Sequence, residues 1–345
     1  MGFQTHFYLL VMLGPLALLL LHDVAAWSAR WWLGTLVAVA AYFSLAAGAL
    51  TLPAFVGLAV IQLALGRRAG PREWLGVALH VVLTAILIHD VPRIPEHEPL
   101  RAQSAGAFIE ALAAVASWPV AAPHWALLSR SVCALLLYAP VLIIAARLLR
   151  KRPPISDRHW LLLGLAGGVG LQLAAAAYGR SVNPMQTRYF DIFIVGVVLN
   201  AGCLFRLVLA EDGGRLRALA VLWLLAVMMG GANALDDVAR GLAWRRDTAV
   251  IQTENLKRFI ATGDASALQN KPMSDIPYPI PEKLMAIASD PAVRAILPAH
   301  LRGEPETHTR RDVVLHHGAV LIPLGLALFM VAGAVGRTRM RPREP

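Results

Sequence analysis

The chain has 345 residues, 57% hydrophobic and 16% charged, with a mean hydropathy of +0.57. Soluble proteins carry about 25% charged residues, so this composition excludes a soluble enzyme of two domains and points to a polytopic membrane protein. The 32 Lys and Arg exceed 22 Asp and Glu to give +10, but they form short strings between apolar runs, a pattern that argues against nucleic acid and for oriented membrane helices. The two cysteines, Cys133 and Cys203, each lie inside an apolar run, where neither a disulfide framework nor a zinc site has partners.

About 20 apolar residues are needed for a helix to cross the roughly 30 Å hydrocarbon layer. In chain order, runs of this kind fall at 7–22, 31–50, 53–66, 74–90, 125–147, 159–178, 190–210, 216–232 and 316–335. The fold class they predict is all-α, a polytopic membrane protein of about nine transmembrane helices. The first run is not a signal peptide, having no basic segment before it and no small-residue cleavage site at His22-Asp23. The second and third form a hairpin turning at Thr51-Leu52-Pro53. A further apolar stretch, 106–122, is rich in small residues, contains Glu110 and ends in Trp118-Pro119. It reads as a re-entrant or interfacial helix on the outer side.

Loops rich in Lys and Arg stay in the cytoplasm. Arg67-Arg68 with Arg72, the string Arg147 to Arg152 with Arg158, Arg215 with Arg217, and the tail Arg337 to Arg343 are therefore expected on the cytoplasmic side, with the carboxyl terminus cytoplasmic. The outer side then receives residues 91–124, 178–190 and 233–315. It also receives the amino terminus, as expected of a chain whose upstream part is missing or was lost in evolution. The domain reading is a membrane domain over 1–232 with eight spans, a periplasmic helical cap over 233–315, a last span over 316–336 and a basic tail over 337–345.

Within 233–315 basic and acidic residues balance. Leu235, Val238, Leu242, Val250, Leu256, Phe259 and Ile260 recur at helical steps, extending the eighth span as a long amphipathic helix. Gly263 suits its C-cap. The prolines of Asp275 to Pro281 impose an extended strip. Short helices are expected from Pro281-Glu282 and Asp290-Pro291, where an acid precedes proline at the first turn. No GxGxxG, P-loop, HExxH or GxSxG motif occurs.

Two constellations could carry chemistry. The first holds His89, Asp90, Arg93, Glu96, His97, Glu98 and Arg101. Its carboxylates and imidazoles fit a divalent metal, while its prolines fit a solvated loop. The second is the loop from Arg180 to Arg188-Tyr189 and Asp191. Arginines on an outer side oppose the usual asymmetry, and a guanidinium fork meets two phosphate oxygens. Lipid headgroup contact, or an Arg188–Asp191 pair, is the plainer reading. Inside the spans Gln62, His80, Arg130, Gln172, Asn200 and Arg206 are polar. Arg130 and Arg206 snorkel toward the ends, which leaves His80 near mid-bilayer, either functional or an interhelical hydrogen bond.

Gln186 to Asn200 (QTRYFDIFIVGVVLN), Asn255 to Asp264 (NLKRFIATGD) and Asp275 to Arg302 (DIPYPIPEKLMAIASDPAVRAILPAHLR) lie in the second half of the chain. In them it resembles bacterial inner-membrane proteins of the GT-C glycosyltransferase type. The resemblance implies transfer of a sugar from a polyprenyl-phosphate donor at the outer face in envelope glycan assembly, with a catalytic acid on a large first outer loop. Here the first outer connection is only Thr51-Leu52-Pro53, so no catalytic residue carries over. The alternatives are a non-enzymatic assembly subunit whose cap binds a protein partner, or a small transporter. A transporter would show an internal repeat or midplane ionisable groups, and His80 alone answers to that.

Overall fold

The computed structural model describes residues 5–92, 94–122, 124–186, 189–210, 214–298 and 301–302, the side chains of 5, 7, 96, 210, 215 and 237 excepted. Its regular structure there is entirely helical. The chain divides into two compact units, Met1–Asp237 and Val238–Pro345.

In the first unit α1 (Thr5–Leu21) and α2 (Ala29–Ser44) are apolar helices of 17 and 16 residues. Ser28 caps α2, its hydroxyl accepting from the Trp31 amide. The chain breaks at Leu45, which is extended, and then winds through a 3-10 stretch over Ala46–Leu50 directly into α3 (Thr51–Ala64). This corrects the expected turn at Thr51-Leu52-Pro53. Proline is tolerated in the first turn of a helix, where its missing N–H has no intrahelical acceptor. Ala46–Ala64 thereby becomes one apolar segment of 19 residues, long enough to cross.

The turn depends on Gly48. A Cβ there would overlap the Ala41 carbonyl and the Tyr42 nitrogen, both backbone atoms that cannot rotate away. Gly48→Ala is expected to destabilise the unit by about 1–3 kcal/mol, as overpacking does. Chemical unfolding in detergent would check this, and a change below about 0.5 kcal/mol would show that the turn has room.

Five more elements complete the unit: α4 (Pro71–His89), α5 (Ala105–Ser117), α6 (Leu127–Lys151), α7 (Arg158–Gly179) and α8 (Phe190–Ala210). α9 (Gly214–Thr262) then runs 49 residues from the first unit into the second. Among the described residues six segments are long and apolar enough to cross a membrane: Ala46–Ala64, Pro71–His89, Leu127–Lys151, Arg158–Gly179, Phe190–Leu209 and Leu216–Thr262. The expected count of nine is met in that part only. The runs 7–22 and 31–50 form the shorter α1 and α2, and 316–335 lies outside the described residues.

Packing explains the order. Leu18, Leu21, Trp31, Phe55 and Val77 gather α1 to α4 into one apolar cluster. Val115, Val141, Leu173, Phe193 and Cys203 gather α5 to α8 into another. α6 contains Pro140, which weakens its own ladder, and neighbouring helices supply partners nearby. The Val141 amide donates to Asn200 Oδ1 at 3.4 Å, and the Leu137 carbonyl accepts from Trp223 Nε1 at 3.1 Å.

α5 has both ends at one end of the bundle. The Ala102 amide just before it donates to the Tyr178 carbonyl at the close of α7, and Trp118 just after it stacks on Phe190 at the start of α8, 5.2 Å between centroids. At the opposite end Asp157 caps α7, accepting from the His159 amide. Burial pushes the Asp157 carboxyl up, but hydrogen bonds from the His159 backbone and ring, with the charges of His159 and Arg206, outweigh it and hold the carboxyl below its usual range.

In the second unit α9 ends at Thr262, with Gly263 left-handed at φ 70°. A short 3-10 turn (Ala265–Ala267), an irregular strip, α10 (Pro281–Ser289) and α11 (Pro291–Ile296) follow. Phe259, Leu268, Ile276, Leu284 and Ala288 form a small core. Gln252 and Asn255 hold the strip by donating to the Ser274 and Asp275 carbonyls.

Candidate functional site

The two constellations read in the sequence meet where α7 ends. Arg180 follows the last residue of α7, and its Nη2 lies 3.2 Å from Nε2 and 3.4 Å from Nδ1 of His97, 83 residues earlier in the chain. A guanidinium only donates, so in this contact a ring nitrogen of His97 would be the acceptor. Beside the pair, Glu98, Arg101, Gln103 and Tyr178 line a cleft of about 430 Å³. Glu98 and Arg101 approach to 3.8 Å across one helical turn, and Gln103 donates to the carbonyls of both.

The rest of the first constellation is drawn elsewhere. Asp90 accepts from the Tyr42 hydroxyl at 2.7 Å, and His89 is exposed on the last turn of α4. Among the described residues no three of His, Cys, Asp and Glu stand close enough to share a metal ion. The side chain of Glu96 lies outside the described residues. So does the whole of Arg188, on which the expected phosphate site leaned. Tyr189 is half-buried and packs on the apolar cluster of α5 to α8.

Arg130, in the first turns of α6, lines a pocket of about 330 Å³ together with Glu110 and the loop from Ser181 to Met185. Nothing in the local sequence marks it, because Glu110 and Arg130 lie on different helices. The only available signal is the row of alanines at 107, 111 and 114, one helical face of α5 that lacks bulk.

His80 is fully buried in α4. Its Nε2 is 2.9 Å from Thr35 Oγ1, and that hydroxyl lies 2.9 Å from the Trp31 carbonyl to which it donates. The imidazole Nε2 is therefore the donor to Thr35. Trp31 and Phe55 flank the ring at 4.6 and 5.1 Å. The arrangement is an interhelical hydrogen bond inside an aromatic box, and among the described residues no carboxylate bonds to the ring.

A different polar centre, unmarked in the sequence, sits at the other end. Arg68 is 5% exposed and spends all five N–H groups. Nε donates to Gln62 Oε1, Nη1 to the Val24 carbonyl and Glu73, and Nη2 to the Leu21 and His22 carbonyls. Glu73 also accepts from the Ala26 amide, and Gln62 donates to the His22 carbonyl. These bonds tie the end of α1 to the end of α3 and the start of α4.

Compared with known proteins, the chain matches no family model, no curated protein and no solved structure.

Proposed function

We propose that this chain is a multi-pass protein of a bacterial inner membrane that holds the phosphate of a polyprenyl-linked sugar at the corner formed by Arg180 and His97. It would act in envelope glycan assembly as a GT-C-like glycosyltransferase or as a non-catalytic relative of one. The observation that carries this reading is the Arg180–His97 contact. It sets a permanent cation at the end of the bundle opposite the Arg68, Lys151 and Arg158 end. If the basic strings face the cytoplasm, this corner faces outward at headgroup depth. Arg188 and Tyr189 belong to the same loop and would complete the site. Resemblance in the second half of the chain supports the sugar donor, and no residue is assigned as the catalytic acid.

A specific observation favours the assembly-subunit alternative: Ile287 and Ile296 on α10 and α11 are 51% and 81% exposed, which suits a protein partner. The test is binding of a polyprenyl phosphate by the purified chain in lipid nanodiscs. Arg180→Ala is expected to weaken it ten- to a hundredfold, about 1.5–3 kcal/mol for a charge-assisted hydrogen bond. Arg180→Lys should weaken it less, since the charge stays and the fork is lost. A parent that binds no polyprenyl phosphate would end the donor reading and leave the subunit one.

A further inference from the structure

Glu110 and Arg130 carry opposite charges into one pocket and do not pair. Glu110 lies on the face of α5 whose other pocket residues are Ala107, Ala111 and Ala114, and three alanines leave the space open. Arg130 stands in the opening turn of α6. A cation there opposes the helix macrodipole, so its placement is not explained by helix stability. Its Nη1 reaches the Glu110 backbone carbonyl at a long 3.4 Å, and among the described residues it makes no ion pair with the Glu110 carboxylate. The buried Nε has no partner among the described residues.

Arg130 lines the pocket, and a guanidinium is a group that meets the oxygens of a phosphate or carboxylate. In the same pocket the exposed Glu110 carboxylate offers acceptors for a cation. An anion alone would be repelled by Glu110, and a cation alone by Arg130. A ligand that carries both charges answers both.

We propose that this pocket binds a small zwitterion, the phosphoethanolamine unit: phosphate oxygens on the Arg130 guanidinium, ammonium on the Glu110 carboxylate. Ser181 and Asn183 on the covering loop are polar groups that line the same space. The unit has two sources, the headgroup of an ethanolamine phospholipid or free phosphoethanolamine. The site uses neither Arg180 nor His97, so it stands or falls apart from the polyprenyl-phosphate reading.

The test uses the purified full chain in detergent. Native mass spectrometry would measure retention of phosphatidylethanolamine, phosphatidylcholine and phosphatidylglycerol of identical acyl chains, and free phosphoethanolamine would be titrated in parallel. The parent is expected to retain the ethanolamine lipid at least tenfold better than the other two, whose headgroups carry either no ammonium N–H or no cation. Glu110→Gln should erase that preference while phosphate binding persists. Arg130→Gln should weaken all three lipids about tenfold or more, and Ala107→Trp should fill the pocket and do the same. Arg180→Ala should leave the preference intact.

Free phosphoethanolamine that binds with the same dependence on Glu110 and Arg130, in a parent without lipid preference, would assign the pocket to the soluble source. A parent showing neither lipid preference nor phosphoethanolamine binding would overturn the proposal. So would a preference unchanged in folded Glu110→Gln and Arg130→Gln, with folding checked by helical circular dichroism and melting temperature.

Discussion

Arg68→Ala is expected to destabilise the first unit by about 3–5 kcal/mol, the cost of removing one member of a buried ion pair and leaving the other uncompensated. Glu73 would lose its partner at 2.9 Å. The carbonyls of Leu21, His22 and Val24 would lose donors where α1 ends, at the point where a helix has no amides left to satisfy them. Arg68→Lys should recover only a fraction, because an ammonium has three N–H groups and no planar fork to reach the five residues that Arg68 holds. Glu73→Gln should be milder still, since its amide can keep accepting from Ala26. The double variant Arg68→Met with Glu73→Leu should lie between, its charge problem relieved and its carbonyls still unsatisfied. Equilibrium unfolding in mixed micelles would rank the four. If Arg68→Ala fell below about 1 kcal/mol, the guanidinium would be a surface cation after all.

That residue shows where sequence reading stops. Arg67-Arg68 is visible as a basic pair after an apolar run, and the orientation rule counts both charges alike. Only folding brings the end of α1, the end of α3 and the start of α4 around one of them, while Arg67 remains exposed. The membrane class and most helix positions are legible because they rest on local composition and period. The stop of α9 at Thr262 is legible because a glycine follows it. The break at Leu45 is not, since Pro53 looks like a turn until it is seen that a first helical turn accepts proline.

The candidate site divides in the same way. Arg180 and His97 each stand out as outer charges, but their meeting spans 83 residues and depends on α4 and α7 ending together. Glu110 and Arg130 are read separately as a polar intrusion and a snorkelling cation. Their shared pocket exists because α5 lies beside the opening of α6, which no local pattern states. Arg188, the residue on which the phosphate expectation rested most heavily, lies outside the described residues, and its part in the corner stays with the proposal.

Trp160→Ala is expected to be the second severe substitution, at about 3–5 kcal/mol, the range for deleting a large buried aromatic side chain. Tryptophan near a membrane boundary is usually expected in a half-wet interfacial belt. Trp160 is instead 0% exposed and packs with Leu58 of α3 and Leu148 of α6. It sits in the first turn of α7, so one ring joins three helices at the end that also carries the Arg68 centre. Its Nε1 lies 3.1 Å from the Pro154 carbonyl and 3.3 Å from that of Pro153. Proline carries no amide of its own, so this loop has few other ways to be held. Trp160→Phe separates the two contributions: it keeps most of the apolar contact and gives up the N–H, so it should cost about 0.5–1.5 kcal/mol beyond a small packing loss. Thermal unfolding of the purified chain would read both. If Phe were as damaging as Ala, the hydrogen bond to the proline loop would outweigh the packing; if both were harmless, α7 would be anchored without its first turn.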